Sequence, residues 1–141
     1  KIMVTEYPVK ACIELRPVGS PWVRVTAPGH DQQFQLTELR KIDLLFSATE
    51  SAEVCVHQFN KAELDPYTAV EIVSVSFFDI THPKFAWAGV YWPSYPKHLH
   101  GEPQLLPGQT YLSWNGRWSL QFSVPVFSWM HRVLDLGWIY D

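Results

Sequence analysis

Alternation of apolar and polar positions with a period of two runs through much of the chain. In residues 11–16, Ala11, Ile13 and Leu15 share one face, and Cys12, Glu14 and Arg16 the other. Residues 41–48 repeat the pattern, with Ile42, Leu44, Phe46 and Ala48 set against Asp43 and Ser47. The runs 53–59 and 70–80 are rich in valine, isoleucine and phenylalanine, which fill a pleated surface well and lose rotamer freedom in a helix. Turn markers separate these runs: Pro17-Val18-Gly19-Ser20-Pro21, Pro28-Gly29-His30-Asp31, Asp65-Pro66 and Leu106-Pro107-Gly108-Gln109. Strands at such intervals with proline and glycine between them predict a sandwich or barrel. No twelve-residue stretch keeps a period of 3.6, and residues 60–65 offer a single helical turn. The expectation is one all-β domain over residues 1–141, an antiparallel, jelly-roll-like β-sandwich of about nine strands.

The strongest local turn signal is Asn115-Gly116 within 111–124, because both central positions of a two-residue hairpin turn need positive φ. A hairpin here sets Trp114 opposite Arg117, Ser113 opposite Trp118 and Leu112 opposite Ser119. Trp118, Leu120, Phe122 and Val124 then form an apolar face with Tyr111 and Ser113. Trp114 is left on the polar face beside Arg117, Ser119 and Gln121, as an exposed platform or as a ring covered by a loop or by the arginine itself. Pro125 suits a strand end or a switch between sheets. Beyond it, residues 130–140 alternate again, with Leu134, Leu136, Trp138 and Tyr140 opposite Val133, Asp135 and Ile139, which predicts a C-terminal strand. This apolar closing strand resembles jelly-roll lectin and carbohydrate-binding domains, and Phe122-Ser-Val-Pro125 is similar over some ten residues to a segment of sea-anemone pore-forming proteins.

Composition narrows the function classes. Hydrophobic residues make up 47% and charged ones 18% of the 141 residues, which excludes a disordered chain. Eleven basic and 14 acidic residues leave a net charge of −3, unlike the footprint of a nucleic-acid binder. No run of apolar residues is long enough for a transmembrane helix. The chain opens on Lys1 without a positive-then-apolar leader, as in a mature secreted protein or a piece of a longer one. Cys12 and Cys55 are either a disulfide, which favours a secreted or cell-surface location, or two buried thiols.

Aromatic residues are abundant and uneven: 15 of 21 fall in residues 77–141, along with six of the seven tryptophans. A small core accommodates only a few indoles, so the surplus belongs at surfaces, in loops or under an interface. The segment 85–103 begins as a strand and dissolves at Pro93 into a loop carrying Trp92, Tyr95, Lys97, His98, His100 and Glu102. Flat rings on a proline-stiffened loop, near carboxylate and amide groups, match the apolar C–H face and the hydroxyls of a sugar. The candidate ligand-binding residues are therefore Trp92, Tyr95, His98, His100 and Glu102, joined by Trp114 and Arg117. The same rings also suit a protein–protein interface or an aromatic plug over the end of a sandwich.

His98 and His100 are spaced to ligate a transition metal with a donor from elsewhere, and calcium bound by loop carbonyls and aspartates is a second metal reading. Catalytic signatures are absent: no Gly-x-Ser-x-Gly, no glycine-rich phosphate loop, no Cys-x-x-Cys. The carboxylates are scattered, and Glu71 and Asp79 on one strand run would stand roughly 26 Å apart, too far for a glycosidase pair. The sequence thus reads as a non-catalytic binding module for a glycan, without a required cofactor. Two alternatives share its aromatic surplus: a surface, capsid or fibre subunit, homo-oligomeric or joined to another protein, and a protein that binds membrane surfaces.

Overall fold

The computed structural model describes residues 4–99 and 101–135. Two antiparallel sheets face one another. The first is built from β1 (Tyr7–Val18), β4 (Arg40–Ala48), β6 (Ala69–Phe77), β7 (Ile80–Thr81) and β10 (Tyr111–Leu112), in the order β10-β6-β1-β4 with β7 also on β6. The second contains β2 (Trp22–Ala27), β3 (His30–Gln35), β5 (Ser51–Phe59), β8 (Val90–Pro93), β9 (Leu106–Pro107) and β11 (Gly116–Ser123), in the order β3-β2-β5-β11-β8-β9. The described residues therefore form the expected antiparallel sandwich with eleven strands rather than about nine.

The period of two places side chains as the sequence implies. Ala11, Ile13 and Leu15 of β1 and Ile42 and Leu44 of β4 are buried, while Val23 and Val25 of β2 and Val54 and Val56 of β5 meet them from the second sheet. In β6 the apolar positions Ile72 and Val75 lie three apart, which strict alternation forbids. The register against β1 steps from Glu14↔Ser74 to Leu15↔Ile72, so Val73 is an extra residue and Ile72 and Val75 both turn inward.

Trp118, fully buried, extends from β11 toward Gly89. A Cβ at Gly89 would collide with Cε2, Nε1 and Cζ2 of this indole, so only glycine leaves room for it. At the other end of the core, four rings join both sheets to both helices. Phe77 of β6 and Phe122 of β11 lie 5.0 Å apart, and Phe85 and Trp129 close the group at 5.5–5.8 Å. Phe85 belongs to α1 (Pro83–Trp87), which starts with a proline in its first turn and a backbone N–H of Lys84 donating to Nδ1 of His82 at 3.1 Å. Trp129 belongs to α2 (Val126–Leu134).

Four expectations are corrected here. Residues 126–134 form a helix and not part of a closing strand, because Val126, Trp129, Met130, Val133 and Leu134 follow helical spacing and bury one face against the rings. The rest of the expected strand, 136–140, lies outside the described residues. The segment from Phe85 likewise begins in a helix. Asn115-Gly116 makes no hairpin: β10 pairs with β6 in one sheet, whereas β11 pairs with β5 and β8 in the other. Leu112, not Tyr111, is accordingly buried.

The fourth correction concerns the thiols. Cys12 alternates with Ala11 and Ile13 and so lies on the outer face of the first sheet; Cys55 alternates with Val54 and Val56 on the outer face of the second. The whole core separates them, and both are free. The disulfide, and with it the cysteine argument for an oxidising compartment, falls.

Titration of the denatured chain without reductant is expected to return two thiols, and a result of none would overturn this placement. In the native protein both react slowly, since burial raises the pKa of each. Gly89→Ala forces the Trp118 indole or its backbone to move and is expected to cost roughly 1–3 kcal/mol in denaturant unfolding.

Candidate functional site

The outer face of the second sheet carries the side chains that alternate with the core. The registers Gln33↔Arg24, Arg24↔His57, His57↔Arg117 and Arg117↔Trp92 line up one cross-strand row over β3, β2, β5, β11 and β8. Trp92 is 42% exposed, and the Arg117 guanidinium lies 5.6 Å from the centroid of its ring. The indole thereby holds the arginine along the sheet. Arg24 grips Asp31 through two hydrogen bonds of 2.9 and 2.6 Å. In the next row, exposed Trp22 lies 6.2 Å from Phe59. His57, in the first row between Arg24 and Arg117, is half-buried, and burial, followed by the charges of these two arginines, holds its pKa below the ordinary value.

A depression of about 490 Å³ opens here, lined by His57, Phe59, Trp92, Ser94, Asn115 and Arg117 among others. Ser94 and Asn115 also line a second hollow of about 280 Å³, formed with Lys61, Tyr95, Pro96 and Trp114. Tyr95 in turn belongs to a third, about 190 Å³, whose wall includes Glu102. A larger depression, about 750 Å³, lies at the opposite end of β5 and β11, around Glu53, Gln121 and Trp129.

The second hollow is built by long-range contacts. The Tyr91 hydroxyl, on the inward side of β8, donates to the Trp114 carbonyl and accepts from the Trp114 N–H at 3.0 Å. Asn115 accepts from the Lys61 backbone N–H and donates to the Lys61 carbonyl, each at 2.9 Å. Lys61 extends its ammonium to the carbonyls of Thr68 (2.7 Å) and Ser113 (2.5 Å), with Nζ 5.1 Å from the centre of the Trp114 ring. Tyr95 meets Trp114 edge-on at 6.1 Å. Gly116, at φ 150°, passes so close to β8 that a Cβ there would overlap the Trp92 carbonyl and stand 2.8 Å from Pro93 Cα.

The structure thus brings together five of the residues singled out from the sequence. Trp92 and Arg117 share the first depression, Trp114 and Tyr95 the second, and Glu102 lines the third. Trp114 is not Arg117's cross-strand partner; Trp92 takes that position. His98 is exposed on the 3₁₀ turn Lys97–Leu99 and lines none of these three hollows, while His100 lies outside the described residues. Sequence reasoning missed Trp22, His57, Phe59 and Lys61. The first three carried a signal, since each alternates with inward-facing residues and so points outward. Lys61 carried none, because its partners lie across the fold.

Among the described residues, no three His, Cys, Asp or Glu side chains gather at one point. Asp65, four residues beyond Lys61, accepts from the Thr68 hydroxyl and from the Tyr67 and Thr68 N–H groups, which lowers its pKa to about 2.

No family model matches the sequence, and no curated protein matches it. Two solved structures are similar in fold. One is vCBM60 in complex with galactobiose, 18% identical, with a TM-score of 0.53 over 79% of this chain and 96% of that one. The other is the selenomethionine form of vCBM60, described with a circular permutation linking two families of calcium-dependent carbohydrate-binding modules. It is 18% identical, with a TM-score of 0.52 over 82% of this chain and 90% of that one.

The depressed pKa of His57 has a definite consequence for stability. Below the ordinary histidine value of 6.5 the unfolded chain takes up the proton before the folded one, so stability falls as pH drops through this range. The thermal midpoint of the wild type is expected to decline more between pH 7 and pH 5 than that of His57→Gln; parallel declines would show that the imidazole is not held neutral.

Proposed function

We propose that this chain is a non-catalytic carbohydrate-binding module, secreted or at a cell surface, that takes a glycan on the outer face of its second sheet. The observation that carries this reading is the continuity of the Trp92–Arg117 depression with the Tyr95–Trp114 hollow through Ser94 and Asn115. Exposed rings offer a stacking surface for the C–H faces of successive sugars, and the polar groups between them meet hydroxyls. The fold likeness to a module in complex with galactobiose supports it.

Calcium, on which the families described with one similar structure depend, is a second element of this reading. Among the described residues no three His, Cys, Asp or Glu side chains converge, so calcium here would draw on loop carbonyls as well as carboxylates. The contacts proposed from the described side chains run through rings, amides and the guanidinium.

Binding to a panel of immobilised polysaccharides, in calcium and in EDTA, tests the reading. Trp92→Ala is expected to weaken glycan binding by about 2 kcal/mol while changing stability by less than about 1 kcal/mol. Trp118→Ala, which empties the core, is expected to cost roughly 3–5 kcal/mol of stability. Trp114→Ala should weaken binding and also lower stability modestly, because its ring packs on Lys61 and Tyr95. Full binding by Trp92→Ala and Trp114→Ala would remove this face from the reading. Loss of binding in EDTA would make calcium a requirement of it. No glycan binding, with a melting point that rises with concentration, would favour an assembly subunit instead.

A further inference from the structure

The cross-strand row on the second sheet is more basic than a neutral sugar requires. Arg24, His57 and Arg117 stand side by side on β2, β5 and β11, in a chain whose net charge is −3. Their charges are not used alike. Arg24 is neutralised by a two-point contact with Asp31. Arg117 has no carboxylate within ion-pair distance among the described residues; its contact there is the Trp92 ring. Glu53, two positions along β5 from Cys55 and facing Gln121, is engaged by the Ser119 hydroxyl at 2.6 Å and the Gln121 amide at 3.2 Å.

From this arrangement we infer that the glycan recognised at this face carries carboxylate groups, as a uronic-acid polymer does, and that Arg117 reads them. The inference rests on the glycan reading above and names its ligand class. A guanidinium over an indole presents a planar donor fork, and that fork matches the two oxygens of a carboxylate. An ammonium would offer only a point charge. The neighbouring histidine adds its ring nitrogens; burial and then the charges of Arg24 and Arg117 lower its pKa, against the opposing charges of Asp31 and Glu53. Trp22 and Phe59, one row away, leave an apolar strip for the sugar rings that bear the acid groups.

The experiment compares polygalacturonate with a neutral galactan by isothermal titration of the intact chain, in EDTA so that cation bridging by the acidic polymer plays no part. The expected result is at least roughly tenfold tighter binding of polygalacturonate, falling as sodium chloride is raised. Arg117→Gln should erase the preference by weakening polygalacturonate binding far more than galactan binding. Arg117→Lys should restore only part of it, because the charge returns without the fork. Thermal melts of both variants show whether they are folded; Arg117 is exposed, so both are expected to melt as the wild type does. Equal affinity for the two polymers, or a preference unchanged in Arg117→Gln, would overturn the inference and leave the glycan reading standing. Binding of neither polymer would overturn this inference, and failure across the polysaccharide panel as well would overturn the glycan reading.

Discussion

The seating of Trp118 against the bare backbone of Gly89 is the contact on which the rest of the arrangement depends. A buried indole is the largest single filler of this core, and the glycine beside it leaves no slack for β8 and β11 to slide. Because strand side chains alternate, fixing Trp118 inward fixes Arg117 and Ser119 outward. The register Trp118↔Tyr91 then places Arg117 opposite Trp92. A slip by one residue would bury the arginine and expose the indole. The geometry of the outer face is in this sense a by-product of core packing.

Tyr91 extends the same logic to the neighbouring hollow. Its ring is buried, yet its hydroxyl meets both backbone polar groups of Trp114, and the desolvation of that hydroxyl pushes its pKa well above the ordinary tyrosine value. The phenol stays protonated and able to donate. Adjacent residues of β8 thus do opposite work: Tyr91 anchors the segment 113–115 from within, and Trp92 presents a ring to solvent. Lys61 and Asn115 complete the anchor from the far side through backbone groups that would otherwise lack partners. Sites held this way lose little conformational freedom when they bind, which favours recognition of weakly adhesive, hydroxyl-rich ligands.

The charges on the second sheet follow its strand order rather than the chain order. Arg24, His57 and Arg117 are far apart in sequence and adjacent in space, while Glu53 and Gln121 gather toward the opposite end of β5 and β11. An acidic chain can therefore present an uncompensated guanidinium, that of Arg117, on one face, because net charge sums over all faces and a bound polymer meets only one.

What the sequence determined by itself is what a period of two can encode. The faces of β1, β4, β5 and β11 follow directly from alternation, as does the outward position of Trp92 and of Arg117, because side-chain direction in a strand is a local property. The tertiary structure decided which strands are neighbours. Asn115-Gly116 has the local code of a hairpin, yet β11 finds better partners in β5 and β8, and the Asn115 amide is satisfied by Lys61 across the fold. Cys12 and Cys55 are both outward by alternation, but only the assignment of β1 and β5 to opposite sheets separates them. The helix at 126–134 was within reach of its 3.6-period spacing, though its neighbours Phe77, Phe85 and Phe122 decided that this face would be buried. Pairing between strands distant in sequence depends on the summed packing of two sheets, a quantity no short window contains.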